Sequence, residues 1–364
     1  MIVQTTYDRA LLAAQRLAEG KVNSIPLSFP RFKSIFPGFV RGQYWGITAG
    51  SSVGKTRFAR FLMYTIYKEC KKNNIPFTCL YFALEGSTES FVDATTLMMV
   101  SEKKRKNYNS KHIGGFCGFK ADDNILADLK EVTQEVNEFY EHFRIYDSVS
   151  EPDEMLAIVR EFMENTGKYY DKDNEECNYL TADRYVPNDP ERYVFVVVDH
   201  LSLLDDISGD TQSSMDKWST QIATKVLTKL YKVNCIDIQQ QAAETQKKEY
   251  YKGALLINKL LPSYSGLGDY KRSYRNWDIC IGLFSPYQHL DFNVDEKYFR
   301  GYDIEQLKNN YRAAIILKDR HFGCEGKYLH LFMDGDANLF HELPKAESMT
   351  PEMYKTLIKN YGII

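Results

Sequence analysis

The chain has 364 residues, 44% hydrophobic and 14% aromatic, with a formal net charge of -3. That composition excludes a largely disordered chain and suits one large α/β domain with additions, or two small domains. The near-neutral balance excludes a uniformly basic nucleic-acid binder, so any such contact must come from local patches.

Residues 7–19, YDRALLAAQRLAE, read as a short amphipathic helix with Leu11, Ala14 and Leu17 along one side, ended by Gly20. A helix this short needs a surface to dock on, in its own domain or on a neighbouring subunit. The N-terminus as a whole, MIVQTTYDRALLAAQRLAEG, is too polar for a signal peptide and nothing approaches a membrane span, so a cytoplasmic protein with no membrane partner is expected. The seven cysteines form no CxxC pair, and Cys79, Cys235 and Cys280 sit in apolar runs, as reduced, buried thiols do. High Tyr, Asn and Lys usage fits an AT-rich coding sequence, such as a phage gene working in the host cytoplasm.

From about Pro26 onward, apolar strands alternate with amphipathic helices. Strands are expected at 44–48, 78–84, 143–146, 193–198, 234–238, 279–284 and 312–318. Helices are expected at 56–70, 88–104, 124–141, 152–165 and 215–232. This pattern predicts an α/β fold: a mostly parallel sheet with helices on both faces. The strand at 312–318 and YLHLFMD at 328–334 would make an antiparallel edge. The polar span 167–190 reads as a surface insertion. A last helix starts at Thr350, Pro351 and Glu352 and stops at Gly362.

Five strand ends carry candidate chemistry. AGSSVGKT, residues 49–56, follows a strand and opens a helix, the context of a P-loop. Ala49 stands where the usual pattern has Gly. The backbone of Gly50, Ser51, Ser52, Val53 and Gly54 would cradle a polyphosphate at the helix N-terminus. Lys55 would reach the β- and γ-phosphates of ATP, and Thr56 would ligate Mg²⁺. YVFVVVDH ends in Asp199, placed as a Walker B carboxylate that serves the metal. LYFALEG ends in Glu85, which could orient and polarise the attacking water. NCIDIQQQAAE ends in three glutamines, of which Gln240 is the favoured γ-phosphate sensor. ILKDRHFG ends a further strand with Lys318 and Arg320, alternate residues able to face one target and to act as an arginine finger on another subunit.

In this order, AGSSVGKT, YFALE, VVVDHLSLL, IQQQ, the run from Asp269 through Ser273 and Asp278 to ICIGLF, and KDRHFG resemble the ATPase domain of DnaB-like replicative helicases, within the RecA-like superfamily. IPLSFPRFKSIFPGFVRGQ at 25–43 is similar to that family's lead-in, and its P-loop also begins with Ala. The resemblance covers residues 25–342 and implies a RecA-like ATPase domain over 26–345. A linker helix would lie in 1–25 and a C-terminal helix in 346–364. It implies that Lys55 and Thr56 bind nucleotide and Mg²⁺, that Glu85 is the catalytic base and Asp199 the metal-linked carboxylate. It further implies that Gln240 senses the γ-phosphate and that Lys318 and Arg320 act in trans. A homo-oligomeric, hexameric ring on single-stranded DNA, 5′→3′ movement and a primase or loader partner are implied as well. His200 stands where the family has Tyr, Gln239-Gln240 where it has Ser-Gln, and the helical N-terminal domain is represented only by the helix at 7–19.

Two loops follow the Asp199 and Gln240 strands. The first, 205–217, is acidic and a poor phosphate binder. The second, 242–277, carries Lys247, Lys248, Lys252, Lys259, Lys271, Arg272 and Arg275 among Tyr250, Tyr251, Tyr264, Tyr270 and Tyr274. Cations interleaved with aromatics suit single-stranded DNA, whose phosphates pair with Lys and whose bases stack on rings. Gly253, Gly266 and Gly268 would let it move. The expectation is an ATP-driven, ring-forming helicase or translocase in replication. Two other readings stay open: a RecA-like DNA-dependent ATPase without unwinding, and a non-catalytic ATP-binding assembly protein.

Overall fold

The computed structural model describes residues 5–205, 210–268, 270–292 and 297–360. Asp269, residues 206–209 of the first loop and Gly362 lie outside the described residues.

Among the described residues, one nine-stranded sheet organises the chain. Its strands are β1 (Tyr44–Ala49), β2 (Phe77–Ala83), β3 (Phe143–Tyr146), β7 (Tyr193–Asp199), β8 (Asn234–Gln240), β11 (Ile279–Phe284), β14 (Tyr311–Asp319), β15 (Tyr328–Asp334) and β16 (Leu339–Glu342). The other strands form small sheets. These are β4 (Gly167–Tyr170), β5 (Glu176–Cys177) and β6 (Arg184–Pro187); β9 (Tyr250–Tyr251) with β10 (Ala254–Leu255); and β12 (Tyr298–Phe299) with β13 (Tyr302–Asp303). The helices are α1 (Thr6–Ala18), α2 (Lys55–Lys72), α3 (Thr88–Lys104), α4 (Ser110–Gly114), α5 (Asp123–Glu141), α6 (Pro152–Thr166), α7 (Thr211–Asp216), α8 (Ser273–Asn276), α9 (Ile304–Leu307) and α10 (Pro351–Asn360). A π-helical stretch, Lys217–Leu230, continues α7.

Strand order in the large sheet is β16-β15-β14-β11-β1-β8-β7-β2-β3. The six strands from β11 to β3 pair in parallel, and β14, β15 and β16 close one side antiparallel. β1, β2, β7 and β11 read as apolar runs with few polar interruptions because both faces are covered. Side-chain alternation sorts each strand between two cores. Trp45 and Ile47 pack with Phe58, Leu62 and Phe139 of α2 and α5. Tyr44, Leu80 and Val196 pack with Met155 and Val159 of α6 and with Trp218 and Leu227.

The sheet's polarity sets where chemistry can occur. The parallel strands deliver their C-terminal ends to one edge, where α/β folds bind ligands. β14 runs the other way: Asp319 pairs with Ile279 at the start of β11, whereas Ala49 pairs with Leu283 near its end.

Two regions carry more structure than their composition suggests. The span 167–190 folds as the sheet β5-β4-β6, anchored by the Tyr185 hydroxyl on Met163 O at 3.0 Å. The acidic loop after β7 turns helical from Thr211. α1 has a capping box, Thr5 with Asp8, but no buried residue. It is held through Arg16, which donates both terminal nitrogens to Glu191 at 2.7 Å, while Tyr7, Leu12 and Leu17 are exposed.

Candidate nucleotide site

β1 ends at Ala49, and the chain turns through residues 50–54 before α2 begins at Lys55. Gly54 caps the helix at φ 105°, a conformation that an L side chain rarely adopts. Ser51 and Ser52 stand exposed on the turn, and Val53 is folded inward. Two side chains from distant segments brace this turn. The buried Arg312 of β14 donates Nε to Val53 O at 2.6 Å, and Gln288 Nε2 donates to Ser52 O at 3.3 Å. Burial pushes the Arg312 guanidinium down to about 9. Neither residue was singled out from the sequence; the one available signal was an Arg inside the apolar run RAAIILK.

Lys55 is 8% exposed, and its Nζ donates to two neutral acceptors, Gln240 Oε1 at 3.3 Å and Gly50 O at 3.5 Å. Burial lowers its pKa, while the charges of Glu85 and Asp199 oppose the shift. An ammonium that, among the described residues, has weak neutral contacts inside a turn of backbone N–H groups suits an anionic phosphate.

Asp199 is fully buried at the end of β7. Its Oδ1 accepts from Thr56 Oγ1 at 3.0 Å and its Oδ2 from the Tyr81 hydroxyl at 2.8 Å. Burial raises its pKa to about 6, only partly offset by those hydroxyls and by Arg60. A buried carboxylate held by two hydroxyls retains lone pairs for a cation, and Thr56 beside it offers the second oxygen. The donor set fits Mg²⁺. Tyr81 was missed because it lies in the middle of an apolar strand.

Glu85 lies two residues beyond β2, and its backbone N–H donates to Asp199 O at 2.9 Å. Its exposed side chain stands between two open cavities. One, of ≈ 550 Å³, is walled by His200, Gln240 and Glu244; the other, of ≈ 540 Å³, by Thr56, Arg60 and Lys111. The strand register separates the glutamines: Gln240 faces Lys55, whereas Gln239 and Gln241 are buried on the other side. Ala49 through Thr56, Glu85, Asp199 and Gln240 therefore meet at one edge of the sheet.

Lys318 and Arg320 are not among them. Both reach one target, the carbonyl of Arg275, and Arg320 also pairs with Asp278 at 3.2 Å. Lys318 is half-buried, and its pKa falls to about 8 through burial and the Arg320 charge. They lie at the opposite edge from the P-loop of their own chain.

The basic segment after β8 divides. Lys247, Lys248 and Lys252 are exposed beside the β9–β10 hairpin, which presents Tyr250 and Tyr251 to solvent. Lys271 and Arg272 border a separate cavity of ≈ 520 Å³ that also holds Asp210 and Asp216. Several expected contributors are engaged otherwise; the half-buried Tyr274 donates its hydroxyl to Leu317 O at 2.7 Å. Tyr270 is buried, with its hydroxyl on Asp216, and Lys259 is paired with Glu249.

No family model matches the sequence, and no curated protein does. Solved structures do match. One, an ATPase domain, aligns with TM-score 0.63 and 16% identity, over 94% of this chain and all of that one. A DnaB-like replicative helicase, described with its interactions with primase, aligns with TM-score 0.65 and 16% identity, over 93% of this chain and 68% of that one. The chain has the RecA-like fold of DnaB-like helicase ATPase domains.

Proposed function

We propose that the chain is an ATP-hydrolysing DNA helicase or translocase that works as a ring, expected to be hexameric, on single-stranded DNA in replication. One observation carries the reading. Lys55, Thr56, Asp199 and Glu85 meet at one sheet edge, while the paired cations Lys318 and Arg320 sit at the other, so only a second copy can bring both sets to one phosphate.

In this reading the P-loop backbone and Lys55 bind the β- and γ-phosphates and orient them. Thr56 and Asp199 would hold Mg²⁺, which neutralises phosphate charge when bound. Glu85 takes a proton from water as the water oxygen bonds to the γ-phosphorus. The bond from that phosphorus to the β–γ bridging oxygen breaks, its electron pair leaves with ADP, and the proton passes to solvent. Arg320 of a second copy stabilises the charge developing on the transferred group. Gln240, already on Lys55, registers the loss of the γ-phosphate, and the segment after β8 shifts along the strand. The exposed face of α1 would dock on the neighbouring copy; a primase or loader remains a candidate partner.

ATP turnover with and without single-stranded oligonucleotide tests the reading, followed by unwinding of a forked duplex. Stimulated turnover with unwinding is expected. Stimulation without unwinding favours a DNA-dependent ATPase of another role, and no turnover in either condition removes the enzyme reading.

A further inference from the structure

Gln241 follows the sensor candidate and has no role in the chemistry above. It is 2% exposed, yet its amide is fully engaged. Nε2 donates to Thr48 Oγ1 at 2.9 Å and to Ser263 O at 3.2 Å, while Oε1 accepts from Ser263 N at 3.2 Å. Its backbone N–H donates to Ala49 O at 2.8 Å. Thr48 and Ala49 are the last residues of β1 before the phosphate turn. Ser263 is where the basic segment returns to the sheet.

The return is closed around this amide. Gln241 bridges Leu267 antiparallel, and Ala242 N donates to Gly266 O at 2.7 Å. A Cβ at Gly266 would stand 2.0 Å from Gln241 Oε1, so a side chain there would displace the amide from its hydrogen bonds. Gln239, on the same strand face, holds the next part of the return: its Nε2 donates to Tyr270 O at 2.9 Å, and Ser273 Oγ donates to its Oε1 at 2.6 Å. A leucine would fill the volume of Gln241. Three hydrogen bonds to two other segments need an amide, and a buried amide left unsatisfied is costly.

We propose that Gln241 is a positioning residue that relays the state of the phosphate turn, through Thr48, to the basic segment 242–268. The functional meaning of that relay rests on the DNA-motor reading, but the relay itself can be measured without DNA. β1 and the segment return share one buried amide, so a shift at the end of β1 on nucleotide binding would be carried to Ser263 through its hydrogen bonds.

Thr48→Val removes the hydroxyl at nearly constant shape, and Thr48→Ser keeps it. Amide hydrogen exchange over 242–268 is read with and without a non-hydrolysable ATP analogue. In the unaltered chain and in Thr48→Ser, nucleotide changes the exchange of this segment several-fold. In Thr48→Val the change falls below about twofold, although the analogue still binds with similar affinity. Gln241→Met, which breaks the relay from its other end, gives the same loss and covers the case in which Thr48→Val is unstable. A segment that responds normally in both variants, or that never responds in the unaltered chain, overturns the relay. Failure of DNA to stimulate turnover, with the exchange response intact, would instead count against the DNA-motor reading alone.

Discussion

Thr56 Oγ1 donates to Asp199 Oδ1 at 3.0 Å, tying the first turn of α2 to the end of β7. Because Asp199 titrates at about 6, the bond has a pH consequence. The carboxylate must be ionised to hold a cation, so Mg²⁺-dependent nucleotide affinity should fall as pH drops through about 6, by about tenfold per unit for one proton. Calorimetric titration with an ATP analogue between pH 5 and 8 checks this. Asp199→Asn should bind weakly and without that pH dependence; an unaltered chain whose affinity stays flat down to pH 5 contradicts the assignment.

Arg320 and Lys55 lie at opposite sheet edges of one chain. Arg320→Ala and Lys55→Ala should each lose most turnover, with a factor of about 10³ or more expected for a missing finger. Mixing the two variants should restore part of it, because one junction in the mixed ring pairs an intact Lys55 with an intact Arg320. A mixture no more active than either variant alone removes the trans role.

Tyr250 and Tyr251 project from the β9–β10 hairpin beside Lys252, whose ammonium lies 5.4 Å from the Tyr251 ring centre. Tyr251→Ala should weaken single-stranded DNA binding by about 1–3 kcal/mol. Lys252→Ala should lower the slope of log affinity against log salt by about 0.7. Fluorescence anisotropy over a salt series measures both, and an unchanged slope means that Lys252 touches no phosphate.

Asp237 is fully buried in β8, accepting from the Tyr44 hydroxyl and from Trp218 Nε1 at 2.9 Å. Burial raises its pKa to about 7. The folded state therefore keeps a proton that the unfolded chain releases near 4. Its contribution to stability is complete below that value and is lost as pH rises towards 7, by an amount on the order of a few kcal/mol. Asp237→Asn stays neutral, so its melting temperature should change less than the parent's between pH 5 and 7.5. Parallel melting curves would contradict the shift.

Much of the architecture was readable along the chain because its causes are local. The P-loop needs contiguous residues between a strand and a helix. Most of the parallel strands announce themselves as apolar runs, and α3 spans Thr88–Lys104, the expected bounds, with Ser87 as its N-cap. Candidate acids at strand ends could be named because parallel strands deliver their C-termini to one edge.

What lay beyond reach depends on strand order and register, which link residues far apart in sequence. Tyr81 on Asp199, Arg312 on Val53, and Gln241 between Thr48 and Ser263 are contacts across separate strands, and periodicity carries no trace of which strands are neighbours. Tyr270 looked like a stacking ring in a basic loop until the fold buried it against Asp216. The residue types marked where phosphate chemistry was possible. The pairing of β14 with β11, antiparallel as expected, placed Arg320 and Lys55 of one chain at opposite ends of the sheet's strands, because which strand lies beside which is fixed by hydrogen bonding between distant segments.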